Sequence, residues 1–183
     1  SANFTIVLNS APTSNVTIPI SSSNTAEGTV STTSLTFTPA NYNTPQTVFV
    51  NGVNDVVVDG SISYKILTGN AISTDVNYNG LDPSDVEVIN ADNDSIGITV
   101  SSISGNTSES GLTASFTVVL NSAPTANVTI PISSSNTAEG TVSTASLTFT
   151  PANSNTPQTV FVNGVNDAIA DGDINYVIIT GST

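Results

Sequence analysis

Residues 4–71 and 116–183 are one sequence written twice, offset by 112 positions and differing at 13 of 68 aligned pairs. The first copy opens FTIVLNSAPTSNVTIP from Phe4, the second FTVVLNSAPTANVTIP from Phe116. So close a duplication is the mark of a repeated structural module. A period of 112 is too long for a solenoid turn or a propeller blade and suits a domain that buries its own core. The copies are out of phase with the chain: residues 1–94 form a first repeat without the strand-like Ile96–Ile103 and Glu109, and residues 95–183 a second without counterparts of Asp82–Asp94. The chain therefore reads as a segment of a longer array. The sharper alternative is that neighbouring chains supply the missing edge strands, as in strand-donating fibres.

Alternation of apolar and polar residues at period two runs throughout, and helical periodicity is sustained nowhere, so the class is all-β. In the first copy Phe4, Ile6 and Leu8 alternate with polar or outward positions, followed by Val16, Ile18 and Ile20, then Leu35 and Phe37, Val48 and Val50, Ile62, Tyr64 and Ile66, and Val86 and Val88. Turn signals stand between them: Pro39-Ala-Asn, Asn51-Gly52, Asp59-Gly60, Asn79-Gly80 and Asp82-Pro83. With Ile98 and Val100 as an opening strand, each period holds about seven short strands, which fits tandem immunoglobulin-like β-sandwiches. Lys65 occupies the place of Val177 between inward-facing positions, so that site is expected to face solvent. Asn51-Gly52 and Asn163-Gly164 are compatible with positive φ. The stretch from Gly69 to Pro83 is expected to be an irregular loop, with Tyr78 pinned against the sandwich.

Fourteen acids against one base, Lys65, give a net charge of −13. On that balance nucleic acid and anionic membrane surfaces are poor partners, and neither nucleic-acid binding nor membrane insertion is expected of this segment. Such self-repulsion favours bound cations or well-spread acids. With no Cys there are no disulfides, and no run of about 18 apolar residues marks a membrane span. The surface must be Ser-, Thr- and Asn-rich, as suits an exported protein at the cell surface or outside the cell. Catalysis is hard to assemble: no His serves a Ser or Thr nucleophile, and the only Lys has no counterpart in the second copy. The chain is not expected to be an enzyme.

The acids gather between strands. Glu27, Asp55, Asp59, Asp92 and Asp94 belong to the first copy, and Glu109, Glu139, Asp167, Asp171 and Asp173 to the second. Loop carboxylates with nearby carbonyls are the oxygen-only donor set that Ca2+ takes, six to eight oxygens at about 2.3–2.6 Å. Zinc would want His or Cys, which are absent.

The series GVNDVVVDG at 52–60, YKI at 64–66 and VINADND at 88–94 resembles the Calx-beta domain, in the divergent form found in tandem arrays of large bacterial exported proteins. The resemblance spans essentially the whole chain. It implies a seven-stranded sandwich with calcium at one tip. On matching positions, Glu109 is the acid after the first strand and Glu27 and Glu139 are the mid-domain acids. Asp55 with Asp59, and Asp167 with Asp171, are the loop acids, and Asp92 with Asp94 close the last strand. The family's acidic pair is here Asn54-Asp55 and Asn166-Asp167, one charge fewer, which implies weak binding on the order of 0.1–1 mM.

These readings converge on a calcium-stiffened structural repeat of a secreted or surface-displayed bacterial protein: an adhesin stalk, extension arm or fibre. Asp94 lies two residues before Ile96 of the next opening strand, so the linker is short and a cation there would restrict hinging. Self-assembly, end to end or by strand exchange, is an expected partner mode. Two other readings stay open: recognition of a cell-surface glycan or host protein through residues 69–83, and service as accessory repeats of a larger exported enzyme.

Overall fold

A computed structural model describes residues 1–170 and 172–181. Every regular element among them is a β-strand, and every pairing is antiparallel. No helix among them is long and apolar enough to cross a membrane. The chain forms two compact units: Ser1–Asp55 with Asp59–Asp92, and Val56–Val58 with the chain from Asn93 onward.

In the first unit β1 (Ala2–Ile6), β2 (Val16–Ser22), β3 (Gly28–Val30), β4 (Ser34–Phe37), β5 (Gln46–Gly52), β6 (Ile62–Thr68), the two-residue β7 (Ile72–Ser73) and β8 (Val86–Asn90) follow in order. One sheet runs β1-β5-β3 and the other β4-β2-β6-β8, with β7 against β2. Alternation puts Val16, Ile18 and Ile20 on the inner face of β2, Phe37 on that of β4, Val48 and Val50 on that of β5, and Tyr64 and Ile66 on that of β6. These side chains come from both sheets and form one core, an arrangement consistent with a sandwich. Phe37 is fully buried, and truncating it to Ala should cost about 3–5 kcal/mol.

The second unit repeats the plan with β9 (Ile98–Val100), β10 (Thr113–Leu120), β11 (Val128–Ser134), β12 (Gly140–Val142), β13 (Ser146–Phe149), β14 (Gln158–Gly164) and β15 (Ile178–Thr180). Its sheets run β12-β14-β10-β9 and β13-β11-β15. Equivalent residues pair in equivalent register: Phe4 lies opposite Val48, and Phe116 opposite Val160. Phe116, Val118, Ile130, Ile132, Phe149, Val160 and Val162 form its core.

Turn chemistry explains several boundaries. After β4, the Asn41 side-chain oxygen accepts the Thr38 amide at 2.6 Å, and Asn153 accepts that of Thr150 at the same distance. The side-chain bond fixes the turn that ends each strand. Pro19 sits inside β2 where the ladder on one side passes from β7, opposite Val16 and Thr17, to β6, opposite Ile20–Ser22. There its missing N–H costs no ladder bond, and its carbonyl accepts the Gly69 amide at 2.9 Å.

Lys65 is exposed, as its exchange for Val177 implies. Tyr78 packs on the core, and its hydroxyl donates to the Ser10 carbonyl. Other expectations are corrected. The stretch 69–83 is not wholly irregular, since β7 pairs with β2 within it. Gly52 and Gly164 do not have positive φ; that conformation falls to Gly60 at +79°, Gly80 at +82°, Gly111 at +94° and Gly172 at +76°. Gly52 ends β5 opposite Gly28, where a Cβ would come 2.6 Å from the Asn90 side-chain oxygen. Close approach, not a left-handed backbone, is what requires glycine there.

Candidate cation site in the acidic loops

Four of the expected acids share one region of the first unit. Glu27 ends the turn that begins at Asn24, whose carbonyl accepts the Glu27 and Gly28 amides at 3.3 and 3.1 Å. Its own carbonyl takes the Val53 amide at 2.9 Å, joining the turn to the exit of β5. From β8, the Asn90 side-chain amide donates to the Glu27 carboxylate at 3.1 Å and to the Val53 carbonyl at 2.7 Å. Two residues on, the Asp92 carboxylate accepts the Gly60 amide at 2.8 Å, beside Asp59. The positive φ of Gly60 lets the chain turn so that this amide faces Asp92.

The electrostatics record the gathering. Partial desolvation raises the Asp59 carboxyl above its ordinary value, and the negative charges of Asp55, Glu27 and Asp92 raise it further. Burial, and then the same Glu27 charge, raise the Tyr64 hydroxyl. A carboxylate in such company is eased by a proton or by a cation. The donors are all oxygen, which suits a hard divalent ion such as calcium. Glu27, Asp55, Asp59 and Asp92 are the residues that would hold it. Among the described residues no three acids already stand in ligand geometry.

The remaining acids are placed separately. Asp94 is partly buried and belongs to the second unit. Glu109 is exposed in a turn. Glu139 repeats the backbone role of Glu27, its carbonyl accepting the Val165 amide at 2.9 Å. Asp167 accepts the Ile169 amide at 2.7 Å within its own loop. Asp173 is exposed, and Asp171 lies outside the described residues.

Sequence reasoning passed over two residues that organise the first unit. Asn90 positions Glu27; a lone amide closing a strand among acids was the available signal. Asp75, 4 % exposed, accepts the Thr13 amide at 2.7 Å and the Asn77 amide at 3.0 Å. These bonds hold its carboxyl below the usual carboxylate range. They fix the 69–83 segment over an open hollow of about 450 Å3 whose lining includes Val7, Leu8, Ile18, Ala71, Tyr78 and Leu81.

Neither a protein-family model nor a curated protein matches this chain.

Proposed function

We propose that this chain is a segment of a structural repeat array in a secreted or surface-displayed bacterial protein. Its units are read as Calx-beta-like, immunoglobulin-like sandwiches with about seven strands each, and it has no catalytic role. The observation that carries this reading is the duplication itself. Two units with equivalent cores and identical turn chemistry suit the setting of distance, because a reader of one target gains little from repeating its scaffold. In the first unit Glu27, Asp55, Asp59 and Asp92 take calcium with affinity on the order of 0.1–1 mM, and the ion stiffens the segment.

Small-angle scattering and thermal unfolding, with millimolar calcium and then with chelator, test this directly. The expected result is a smaller spread of dimensions and a higher midpoint with the ion. Identical curves in the two conditions remove calcium from the function. Glycan or host recognition through residues 69–83 ranks lower, because Tyr78 packs on the core and spends its hydroxyl on Ser10.

A further inference from the structure

Six Phe and four Tyr are the chain's aromatic residues, and every one except Phe49 and Phe161 packs in one of the two cores. These two are equivalent positions, and each is 52 % exposed. Alternation turns them outward, because Val48 and Val50 on β5, and Val160 and Val162 on β14, hold the inner positions. Neither stands at a rim. β5 lies between β1 and β3, and β14 between β10 and β12, so each ring is at the middle of the outer face of its sheet.

The surroundings of both rings are polar and uncharged. Asn3 lies opposite Phe49, and along the strand it is flanked by Thr47, which faces Thr5, and Asn51, which faces Thr29. Around Phe161 the matching positions are Ser115, Thr159 with Thr117, and Asn163 with Thr141. The backbone under each ring is held, the Phe49 amide donating to the Ser31 hydroxyl and the Phe161 amide to the Ser143 hydroxyl, both at 3.0 Å. The chain's fourteen acids and its one lysine all stand elsewhere. None falls on β1, β3 or β5, nor on β9, β10, β12 or β14.

We propose that these two charge-free sheet faces are binding platforms for an uncharged polysaccharide, with Phe49 and Phe161 as the residues on which its sugar rings stack. A sugar ring offers what such a surface matches: C–H groups of slight positive charge for the negative face of an aromatic ring, and hydroxyls around its rim for Thr and Asn side chains. Charge decides which sugars. A net charge of −13 repels sulfated and uronate polymers, and a face without charge has nothing to pair with a charged one. One ring per unit is too small an anchor for a protein partner, whose interface buries about 800 Å2 on each side around an apolar centre. It suits a weak contact made many times. A polymer repeats its own surface, so it is the target for which a repeated scaffold gains: once one unit holds, the second contact is intramolecular. The inference goes beyond the spacing role of the array and needs no calcium.

Affinity electrophoresis of the full chain in chelator, through native gels holding dextran, laminarin or galactomannan, tests this apart from any calcium effect. Retardation is expected in at least one of these neutral polymers and in no gel holding alginate or heparin. Phe49→Thr and Phe161→Thr, which keep strand propensity, should each weaken the retardation by about 10-fold, and the double variant should run as in a gel without glycan. Phe49→Trp, a larger ring at the same place, should strengthen it, a gain that a merely structural role would not produce. That variant and Phe161→Trp carry the test should the threonine variants not fold, and unchanged retardation in both overturns the proposal. So does the absence of retardation in every neutral gel, retardation that the double variant keeps, or binding to alginate or heparin instead. A wild-type chain that self-associates without glycan through the same two phenylalanines overturns it as well, because the faces then join copies of the chain.

Discussion

The end of the Tyr64 ring occupies the place where a Cβ on Gly28 would stand, and Tyr176 holds the same relation to Gly140. Tyr64 is 5 % exposed and belongs to the core, so its ring has little room to retreat. Gly28→Ala is therefore expected to destabilise the first unit by about 1–3 kcal/mol, the usual range for overpacking. Gly105→Ala, at a position where an added Cβ meets nothing within 4 Å, is the control and should leave the midpoint unchanged. Thermal unfolding of the two variants decides whether the glycine serves the tyrosine.

Asp75 anchors the 69–83 segment with two different oxygens, one accepting from Thr13 and the other from Asn77. Asp75→Asn turns one of those oxygens into a donor and sets it against an amide N–H. The variant should unfold several degrees below the wild type at neutral pH. Because these bonds lower the folded-state pKa, the wild-type advantage is complete above the unfolded carboxyl value of about 3.9 and disappears as pH falls through the lower folded value. Paired melts from pH 7 to pH 2 check the convergence.

Legibility in the sequence followed the physics of each residue. Two copies with one period-two pattern displayed the inner faces directly, and the Lys65 and Val177 exchange marked an outward position that is exposed in both units. The three-residue β3 and β12 escaped because Gly-Thr-Val carries too little alternation to register as a strand. The reason for Gly52 was misread because adjacency to Asn suggests a turn, whereas the constraint is the Asn90 side chain arriving from β8, 38 positions further along. Asp75 was invisible for a similar cause. One carboxylate in a polar stretch looks solvated until Thr13, 62 residues earlier, is folded against it.

Asp59 titrates in the opposite sense to Asp75. Its raised folded-state pKa means that its contribution to stability is fully present below the unfolded value and is lost as pH rises through the folded one. In chelator, Asp59→Asn should match the wild type near pH 3 and become the more stable chain as pH climbs towards neutrality. It should also shrink the midpoint gain that millimolar calcium gives. Melts of both chains against pH, with and without the ion, separate relief of repulsion from ligation. A variant less stable than the wild type at pH 7 in chelator would rule out repulsion as the reason for the shift.

Equivalent residues, ISYKILT at 62–68 and INYVIIT at 174–180, form a longer strand in the first unit than in the second. β6 spans Ile62–Thr68 beside β8, whereas its equivalent β15 spans only Ile178–Thr180 and is an edge among the described residues. In β6 the Lys65 amide points away from β8, to the Ser23 hydroxyl at 2.8 Å, so the neighbouring Tyr64 amide faces β8 and lies opposite Val88. The Val177 amide keeps the bond of Lys65, to Ser135 at 2.9 Å, but Tyr176 precedes β15 and pairs with no strand there. Amide hydrogen exchange should therefore be slower at Tyr64 than at Tyr176 by on the order of 100-fold, while Lys65 and Val177 differ far less. Equal exchange at the two tyrosines would show that the repeat sequence itself, without the β8 ladder, holds residues 174–177 extended.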